Sequence, residues 1–435
     1  MGHAAGKDIY QKLGSKIDSL TVRTPWNDSF FKILKELYSE EEAQLIVKMP
    51  FSLSAFDRIM KITAIDEPRL HELLERLCAK GLIIDFWVEE KYWYMPSPLV
   101  VGIFEMTMMR MDQNARSAVW ANMFKEYMGN EFWGANFGNN ERVSFMRTLV
   151  HEEAINKPNF VEILDYESAV AIVEQSKKFA IGTCSCRHEK FHLEEKSCST
   201  PLDTCSSFGK VADYLIRHNF AKEVSKSQML ENVARSKELK LVLSADNIRE
   251  SPTFICHCCK CCCGVLLGIT KHGYPNDIVT STYVSNVDEG NCNGCGLCVK
   301  GCPVNAIEIV AGEERDEKIR SHARVNSSTC LGCGVCGLIC RKDAITMVKR
   351  KKKTIHPATT FERIILQSLE RGTLQNQLFD NPSSISHTVM RGILGGFFRL
   401  SPVKKALMSD LLRSVFLSSM KAGARIQGRD LIVGM

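Results

Sequence analysis

The sequence predicts an α+β fold of several domains, on three observations. The chain has 435 residues, of which 45% are hydrophobic, so it is long enough for about two to four packed domains. Helix-like and strand-like segments alternate along it. All but one of its 19 cysteines lie between residues 184 and 340. In chain order we predict a winged-helix-like domain, a helical connector, a cysteine-rich α/β domain, a duplicated cysteine domain and a helical basic tail.

Residues 1–100 have the element order of a winged helix. Short helix-like runs begin near Asp28, Ser39 and Ser52, and a longer helix with a leucine face covers residues 66–80. The strand-like runs LIIDFWV and YWYMP follow and are joined by a short acidic turn. Helices followed by a hairpin are typical of the winged helix, so we predict this fold for the first domain.

The charge of the longer helix argues against the usual function of a winged helix. Residues 66–80 carry four acidic and three basic side chains, and Glu89 and Glu90 form an acidic wing tip. Contacts to DNA phosphates need a clear cationic excess. We therefore do not expect DNA binding, and we expect this domain to dock a redox partner protein whose identity the sequence does not give.

Residues 101–160 are predicted to be a helical connector. One long helix should cover 101–135, and an irregular link should follow over 136–160. Met106, Met108, Met109 and Met111 lie in the helix, where methionines at helical spacing fill a core more often than they bind a metal.

Residues 161–285 form a second predicted domain with ten cysteines in three clumps. These are Cys184, Cys186, Cys198, Cys205, Cys256, Cys258, Cys259, Cys261, Cys262 and Cys263. Free thiols at this density would oxidise or take up metal. We predict at least one metal centre here, for which Cys184, Cys186, Cys198 and Cys205 can supply four thiolates and the later run two to four more.

The type of this centre stays open between an additional iron–sulfur cluster, a structural zinc site and a pair of redox-active thiols. Neighbouring residues of an extended segment point to opposite sides, so one centre cannot easily use all six cysteines of the 256–263 run. Arg187, His188, His192 and His257 could donate hydrogen bonds to sulfur, or the histidines could act as ligands. Cys78, outside these clumps, should be a buried apolar residue.

Residues 286–348 contain a duplicated cysteine run with the spacing C-x-x-C-x-x-C-x-x-x-C. The first run is Cys292, Cys295, Cys298 and Cys302, and the second is Cys330, Cys333, Cys336 and Cys340. Three cysteines spaced in this way on a compact loop can point their thiolates at three corners of a cube, and the intervening glycines allow such a loop. Zinc knuckles or disulfides are the alternative, but zinc sites typically pair two C-x-x-C units.

This segment resembles a two-[4Fe-4S] ferredoxin domain of the bacterial type, in which the fourth cysteine of each run binds the other cluster. The resemblance implies one cluster on Cys292, Cys295, Cys298 and Cys340. It implies a second cluster on Cys330, Cys333, Cys336 and Cys302. Pro303 keeps the proline that follows the fourth cysteine in this family, whereas Arg341 replaces it in the second run.

Most of the chain resembles a group of uncharacterised [4Fe-4S]-binding proteins of anaerobic bacteria and archaea. The motifs that carry this resemblance are the C-x-C-R-H at 184–188, the C-x-C-C-x-C-C-C at 256–263 and the duplicated run. The C-C-G at 262–264 also resembles the cysteine motif of heterodisulfide reductase catalytic subunits, but the downstream partner cysteines of that family are missing.

Residues 349–435 form a basic tail that is predicted to be helical. Residues 341–435 contain 17 Lys and Arg against 6 Asp and Glu, a balance of +11, so the rest of the +6 chain is slightly acidic. A helix from Ser401 should place Val403, Leu407, Leu411 and Val415 on one stripe. Such a segment can rest on an anionic membrane surface or pack on protein, and we favour protein packing.

These features predict an electron-transfer protein. The chain has no nicotinamide, flavin or phosphate-loop motif, no apolar run of about 18 residues and no apolar core of a signal peptide at its start. We expect a cytoplasmic carrier, or a subunit of an oxidoreductase, from an anaerobe. The alternatives are a redox-sensing transcription regulator and a reductase that acts at the middle cysteine centre; catalytic residues stay unassigned.

Overall fold

The computed structural model describes residues 2–110, 114–137, 143–155, 164–273, 278–311, 314–315, 318–319, 321–351, 356–426 and 429–434. It mixes helices and strands, which confirms the predicted fold class at that coarse level. The chain forms two compact units. The first contains Met1–Val143, Tyr214–Phe220 and Ala358–Met435, and the second contains Ser144–Asp213 and Ala221–Pro357.

The first unit begins with five helices and a small antiparallel sheet. In chain order the elements are α1 (Gly2–Asp18), α2 (Asp28–Leu37), α3 (Glu40–Lys48), β1 (Ser54–Ala55), α4 (Phe56–Thr63), α5 (Glu67–Lys80), β2 (Ile83–Val88) and β3 (Lys91–Pro96). The three strands lie in the order β1-β3-β2. Leu70, Leu73, Leu74 and Leu77 of α5 are fully buried, as the apolar periodicity of this helix predicted.

The ends of these helices follow from local hydrogen bonds. The Ser39 hydroxyl accepts from the Glu42 amide, and the Glu42 carboxylate accepts from the Ser39 amide, which confirms the predicted cap. Gly81 ends α5 with φ +75°. The predicted helix start at Ser52 is wrong, because Ser54 and Ala55 pair with β3 and α4 therefore begins only at Phe56.

The connector is not one long helix. It contains α6 (Phe104–Met108), α7 (Asn114–Tyr127) and α8 (Asn130–Phe137), and a turn at Met128 and Gly129 separates the last two. Met106, Met108 and Met109 are buried, as expected for core residues, whereas Met111 lies outside the described residues.

A six-stranded sheet forms the centre of the second unit. Its strands are β4 (Met146–Thr148), β5 (Phe179–Thr183), β6 (Asp203–Phe208), β7 (Ala221–Glu223), β8 (Val242–Asp246) and β9 (Phe254–Cys258), in the order β4-β8-β9-β6-β5-β7. The helices in this region are α9 (Ala169–Gln175), α10 (Ser185–His192), α11 (Gly209–Arg217), α12 (Lys226–Glu238) and α13 (Gly264–His272). A core of α9, α12 and sheet residues, including Phe179, Phe208 and Val233, packs on the sheet.

Two predictions fail in this region. The strand pairs of the sheet are antiparallel, so the middle region is α+β and not α/β, which requires parallel strands. The link predicted as irregular over 136–160 contains β4, because Met146–Thr148 pair with β8. Residues 138–142 and 156–163 of this link lie outside the described residues.

The duplicated cysteine segment repeats a short helix followed by a strand. The elements are β10 (Tyr283–Val287), α14 (Leu297–Gly301), β11 (Ile307–Val310), β12 (Glu314–Arg315), β13 (Lys318–Ile319), β14 (His322–Val325), α15 (Val335–Ile339) and β15 (Ile345–Lys349). β10 pairs with β15, and β11 pairs with β14. Each copy of the repeat therefore contributes one strand to each of these two-stranded sheets. The helices α14 and α15 of the two copies pack on each other.

The tail folds as helices of the first unit. They are α16 (Thr360–Arg371), α17 (Leu374–Leu378), α18 (Ile385–Arg399), α19 (Ser401–Leu407), α20 (Arg413–Ile426) and α21 (Asp430–Val433). The predicted continuous helix from Ser401 to Val415 is wrong. The chain turns between α19 and α20, where the Ser409 hydroxyl accepts from the Leu412 amide.

A buried carboxylate joins the tail to the N-terminal helices within the first unit. Asp380 is fully buried, and Arg58 and Arg429 each donate to it at 2.8 Å. Ser52 also donates to this carboxylate. Burial favours the neutral acid, but the hydrogen bond from Arg58 and the charge of Arg429 outweigh it and hold the pKa of Asp380 below its ordinary value. In the described residues, no helix is both long and apolar enough to cross a membrane.

Candidate metal centres

Four cysteines of the duplicated segment surround one cavity. Cys302, Cys330, Cys333 and Cys336 line this cavity, which is partly open to solvent. Apolar side chains complete its wall, among them Val304, Leu331 and Met347, together with Ser285, Pro303, Ala306, Ile307 and Gly334. This set of four is the one that the sequence resemblance implied for the second cluster, including Cys302 from the other run.

The residues around this cavity fit a [4Fe-4S] cluster. The Ala306 amide donates to the Cys302 sulfur at 3.2 Å, and the Ser285 hydroxyl lies 3.3 Å from the Cys336 sulfur. Donors to sulfur stabilise the negative charge of a thiolate-bound cluster and tune its potential. Burial raises the pKa of the Cys336 thiol to about 12, so a metal is needed to hold this sulfur as a thiolate at neutral pH.

The loop of the second run is fixed by its backbone. The His151 amide donates to the Cys333 carbonyl at 3.0 Å, and the Arg350 guanidinium donates to the Cys330 carbonyl. Gly332 lies between these two cysteines with φ +77°, and a β-carbon there would lie 2.2 Å from both the Ser281 hydroxyl and the Tyr283 carbonyl. Only glycine fits this close approach.

The other four cysteines of the segment lie around α14 and the end of α15. Cys295 is exposed and Cys298 is buried, and the Ala323 amide donates to the Cys292 sulfur at 3.4 Å. Burial, and then the neighbouring sulfurs of Cys292 and Cys295, raise the pKa of Cys298, which shows that these three lie close together. Cys340 caps the end of α15, which packs on α14.

The eight sulfurs of the duplicated segment are too widely spaced for single metal ions. All eight residues are described, and among them no three sulfurs lie within 4.8 Å of one another. A single ion with three or more of these thiolates would need closer sulfurs.

The ten cysteines of the middle region separate into two groups. The first, which we call the tetrad, contains Cys198, Cys259, Cys261 and Cys262, whose sulfurs all lie within 4.8 Å of one another. The sulfur–sulfur distances are 3.6 Å for Cys198–Cys259, 4.0 Å for Cys198–Cys262, 3.9 Å for Cys259–Cys261 and 3.5 Å for Cys261–Cys262. Cys198 therefore joins the later run and not Cys184, Cys186 and Cys205, with which the sequence had grouped it.

The second group, which we call the hexad, contains Cys184, Cys186, Cys205, Cys256, Cys258 and Cys263. Its thiols perturb the pKa of one another in pairs, Cys205 with Cys256, Cys256 with Cys258, Cys258 with Cys263 and Cys263 with Cys186. The hydrogen bonds from Cys256 and Cys263 lower the pKa of Cys258 to about 6. The alternation of β9 explains why Cys256 and Cys258 lie in one group, because they share one side of the strand, whereas Cys259, Cys261 and Cys262 follow it.

His257 points away from the hexad and is not a metal ligand. Its Nε2 atom lies 2.8 Å from the Ser206 hydroxyl, and its Nδ1 atom lies 2.6 Å from the Ser236 hydroxyl. Burial lowers the pKa of His257 to about 3, so the ring is neutral. His188 and His192 contact each other instead, with their Nε2 atoms 2.8 Å apart.

Arg187 lies between the tetrad and the hexad. Its side chain is fully buried and donates to the Pro201 carbonyl at 2.6 Å, the Thr204 hydroxyl at 2.8 Å and the His257 carbonyl at 2.8 Å. Burial opposes its charge, but Cys184 and Cys259 outweigh this effect and raise the pKa of Arg187. Among the described residues no carboxylate forms an ion pair with it, so these sulfurs supply its counter-charge. The sequence had indicated Arg187 only as a donor to sulfur.

A further close group in the first unit does not favour a metal. Cys78, Asp85 and His218 offer ligand atoms within 4.8 Å of one another. The Arg217 guanidinium donates to Asp85 at 2.7 Å, and His218 Nε2 lies 2.8 Å from the same carboxylate. Because a guanidinium already pairs with this carboxylate, a second cation would be repelled. Cys78 is buried, as expected.

Comparison with known proteins supports the cluster interpretation of the duplicated segment. Residues 291–359 match the 4Fe-4S dicluster domain family. The chain contains an iron–sulfur domain of the ferredoxin type. This match covers less than half of the chain, so it describes this domain and not the whole protein. No curated protein and no solved structure matches the chain significantly.

We predict that Gly332→Ala removes the second cluster, because its β-carbon would collide with backbone that holds the cavity. Gly296→Ala is the matched control, since Gly296 also lies between two cysteines with positive φ (+74°) but has no atom within 4 Å of the place where a β-carbon would lie. The control should lose only about 1 kcal/mol of stability. Iron content after anaerobic purification measures both, and equal iron loss in the two variants would contradict this account of the loop.

Proposed function

We propose that this chain is an iron–sulfur electron-transfer protein of an anaerobic redox system. It would pass single electrons through two [4Fe-4S] clusters and a further cysteine-bound centre in residues 161–285. One cluster would be held by Cys292, Cys295, Cys298 and Cys340, and the other by Cys330, Cys333, Cys336 and Cys302. The cavity that gathers Cys302 with the second run, inside a domain of a dicluster family, is the observation that carries this proposal.

The surrounding residues suit a carrier more than a catalyst at these clusters. A cluster exchanges electrons without a proton donor or a nucleophile, so the protein has only to bury it and set its potential. Apolar walls limit the access of water to the cavity of the second cluster, and the Ala306 amide and Ser285 hydroxyl stabilise the reduced charge there. The Cys295 side chain is exposed, so a cluster on this residue would have an edge near solvent, where a redox partner protein could approach it.

The test of this proposal is a reductive titration of the full-length protein under anaerobic conditions. The wild type should take up electrons reversibly at both clusters. Cys295→Ala should lower the uptake by one electron per chain and abolish the spin coupling between clusters, and Cys333→Ala should do the same for the other cluster. Cys78→Ala, which removes a cysteine outside all three groups, should leave the uptake unchanged. Reversible uptake that neither cluster variant alters would contradict the proposal.

We propose that the N-terminal domain is winged-helix-like and docks a protein partner. The order of α3, β1, α4, α5, β2 and β3 and the β1-β3-β2 sheet support this fold. The cations of α5 are already paired within the domain. Arg69 donates to Glu41 and Glu72, whereas Arg76 and Lys80 both pair with the buried Glu42. DNA phosphates would have to compete with these carboxylates, so a redox-sensing regulator is the less favoured function.

We predict that the full-length protein binds duplex DNA no more tightly than the non-specific range of roughly 10⁻⁴–10⁻⁶ M at physiological salt. Fluorescence anisotropy with labelled duplexes measures this affinity. The prediction would be overturned by sequence-dependent binding with a submicromolar dissociation constant that responds to cluster oxidation. Loss of this binding in Arg69→Ala would place the contact on α5. Arg425→Ala, which removes an exposed cation of α20, serves as the control variant.

We propose that the tail binds an anionic membrane surface. Ile385, Val389, Ile393 and Phe397 follow one another at intervals of four residues on α18 and are all exposed. Exposed Leu400, Leu411, Leu412 and Val415 extend the apolar surface of the tail. No acidic residue lies between Asp380 and Asp410, whereas four basic residues do. An apolar face in a stretch that has four basic residues and no acid before Asp410 complements anionic lipid better than a mixed-charge protein surface.

We predict that the full-length protein binds phosphatidylglycerol vesicles but not phosphatidylcholine vesicles in a flotation assay. Ile393→Asp should weaken binding about tenfold or more, because it places a charge on the apolar face. Val119→Asp alters an exposed aliphatic residue of α7 in the same unit and should bind as the wild type does. Equal binding of both variants, or association of the chain with itself instead of with lipid, would contradict the membrane proposal.

A further inference from the structure

We propose that Cys198, Cys259, Cys261 and Cys262 bind one tetrahedral divalent metal ion, zinc or iron, and not an iron–sulfur cluster. This inference specifies part of the further centre in the proposed function. It depends on the proposed function in one respect only, namely that the duplicated segment binds its own separate clusters. It also separates the tetrad from the hexad, which stays available for redox chemistry.

The spacing of the sulfurs distinguishes a single ion from a cluster. A metal–sulfur bond of about 2.3 Å in tetrahedral geometry places the ligand sulfurs about 3.8 Å apart. The four measured distances in the tetrad run from 3.5 to 4.0 Å. In a cubane each thiolate binds a different iron at a corner, so the sulfurs lie farther apart. No three sulfurs of the duplicated segment lie within 4.8 Å of one another, whereas all four sulfurs of the tetrad do.

The chemistry of the ligand set also suits a single ion. Four thiolates in tetrahedral geometry are typical of zinc and of iron. A divalent ion with four thiolates carries a net charge of −2. The guanidinium of Arg187 contacts Cys259, is fully buried and has no carboxylate partner among the described residues, so it offsets part of this charge. A buried cation of this kind needs an anionic partner, and the Cys259 thiolate beside it supplies one.

The local backbone presents three ligands from one turn. After β9 ends at Cys258, the amides of Cys262 and Cys263 donate to the Cys259 carbonyl at 3.4 and 3.2 Å. This turn directs Cys259, Cys261 and Cys262 to one side, while Cys263 returns to the hexad. Cys198 approaches from 61 residues away, and the Lys196 ammonium donates to its carbonyl.

The proposed ion would close a long loop of the second unit. Cross-linking Cys198 to the turn at 259–262 restricts the unfolded chain over those 61 residues. Cys259 and Cys262 are buried, whereas Cys198 and Cys261 are partly exposed, so the ion can enter from the side of the latter two. With zinc the tetrad has no redox activity and stabilises the fold, whereas iron would add a one-electron centre.

Native mass spectrometry of the anaerobically purified full-length protein tests this inference. The wild type should carry one metal ion beyond its clusters, and the mass of that ion distinguishes zinc from iron. Cys261→Ser should lose one ion and keep the iron and sulfide of the duplicated segment. Cys78→Ala should keep all metals. Loss of several irons together with sulfide from Cys261→Ser would show that the tetrad binds a cluster, and an unchanged metal mass would show that it binds nothing; either result overturns the proposal.

Replacement of the ion by Co²⁺ in the wild-type protein gives a second test that does not depend on a variant folding. Cobalt K-edge absorption should then show four sulfur neighbours at about 2.3 Å and no metal neighbour. Oxygen or nitrogen neighbours, or fewer than four sulfurs, would overturn the proposal. Failure here would leave the cluster signals of the duplicated segment intact, whereas failure of the proposed function would remove those signals and leave the cobalt result unaffected.

Discussion

The close gathering of cysteine sulfurs in the second unit is the constraint on which the rest of this structure depends. Eighteen of the 19 cysteines lie in the second unit, and many of them are buried within contact distance of another sulfur. Burial raises the pKa of thiols such as Cys184 and Cys333, so without metal these sulfurs would be neutral at physiological pH. Cys259 differs, because a hydrogen bond from Cys262 and the charge of the buried Arg187 guanidinium lower the pKa of its thiol and let it act as the counter-charge.

The fold brings these sulfurs together through two devices. In the duplicated segment, exchange of strands between the repeats places Cys302 of the first run beside the second run, and glycines permit the tight loops. In the middle region, the alternation of β9 keeps Cys256 and Cys258 in one group, and the turn after the strand gathers Cys259, Cys261 and Cys262 in the other. Both devices gather the cysteines in one unit, whereas the exposed apolar face of the tail belongs to the other.

How much the sequence could predict depended on whether the deciding contacts were local. Helix α5 was predictable because its leucine face, Asp66 cap and Gly81 stop lie within one short segment. The duplicated run was predictable because its ligand spacing is itself the signal. The tetrad was not, because Cys198 reaches Cys259 from 61 residues away. Strand β4 was missed because only its pairing with β8 defines it, and the break after α19 depends on a single cap at Ser409.

The central claim is that the duplicated segment holds two four-iron clusters. Iron, acid-labile sulfide and zinc counted on one anaerobic preparation, with electron paramagnetic resonance of the reduced protein, test it most directly. The account predicts iron and sulfide sufficient for two cubanes per chain and a signal from two interacting spins. Zinc in place of iron, or iron for one cluster without spin interaction, would contradict it.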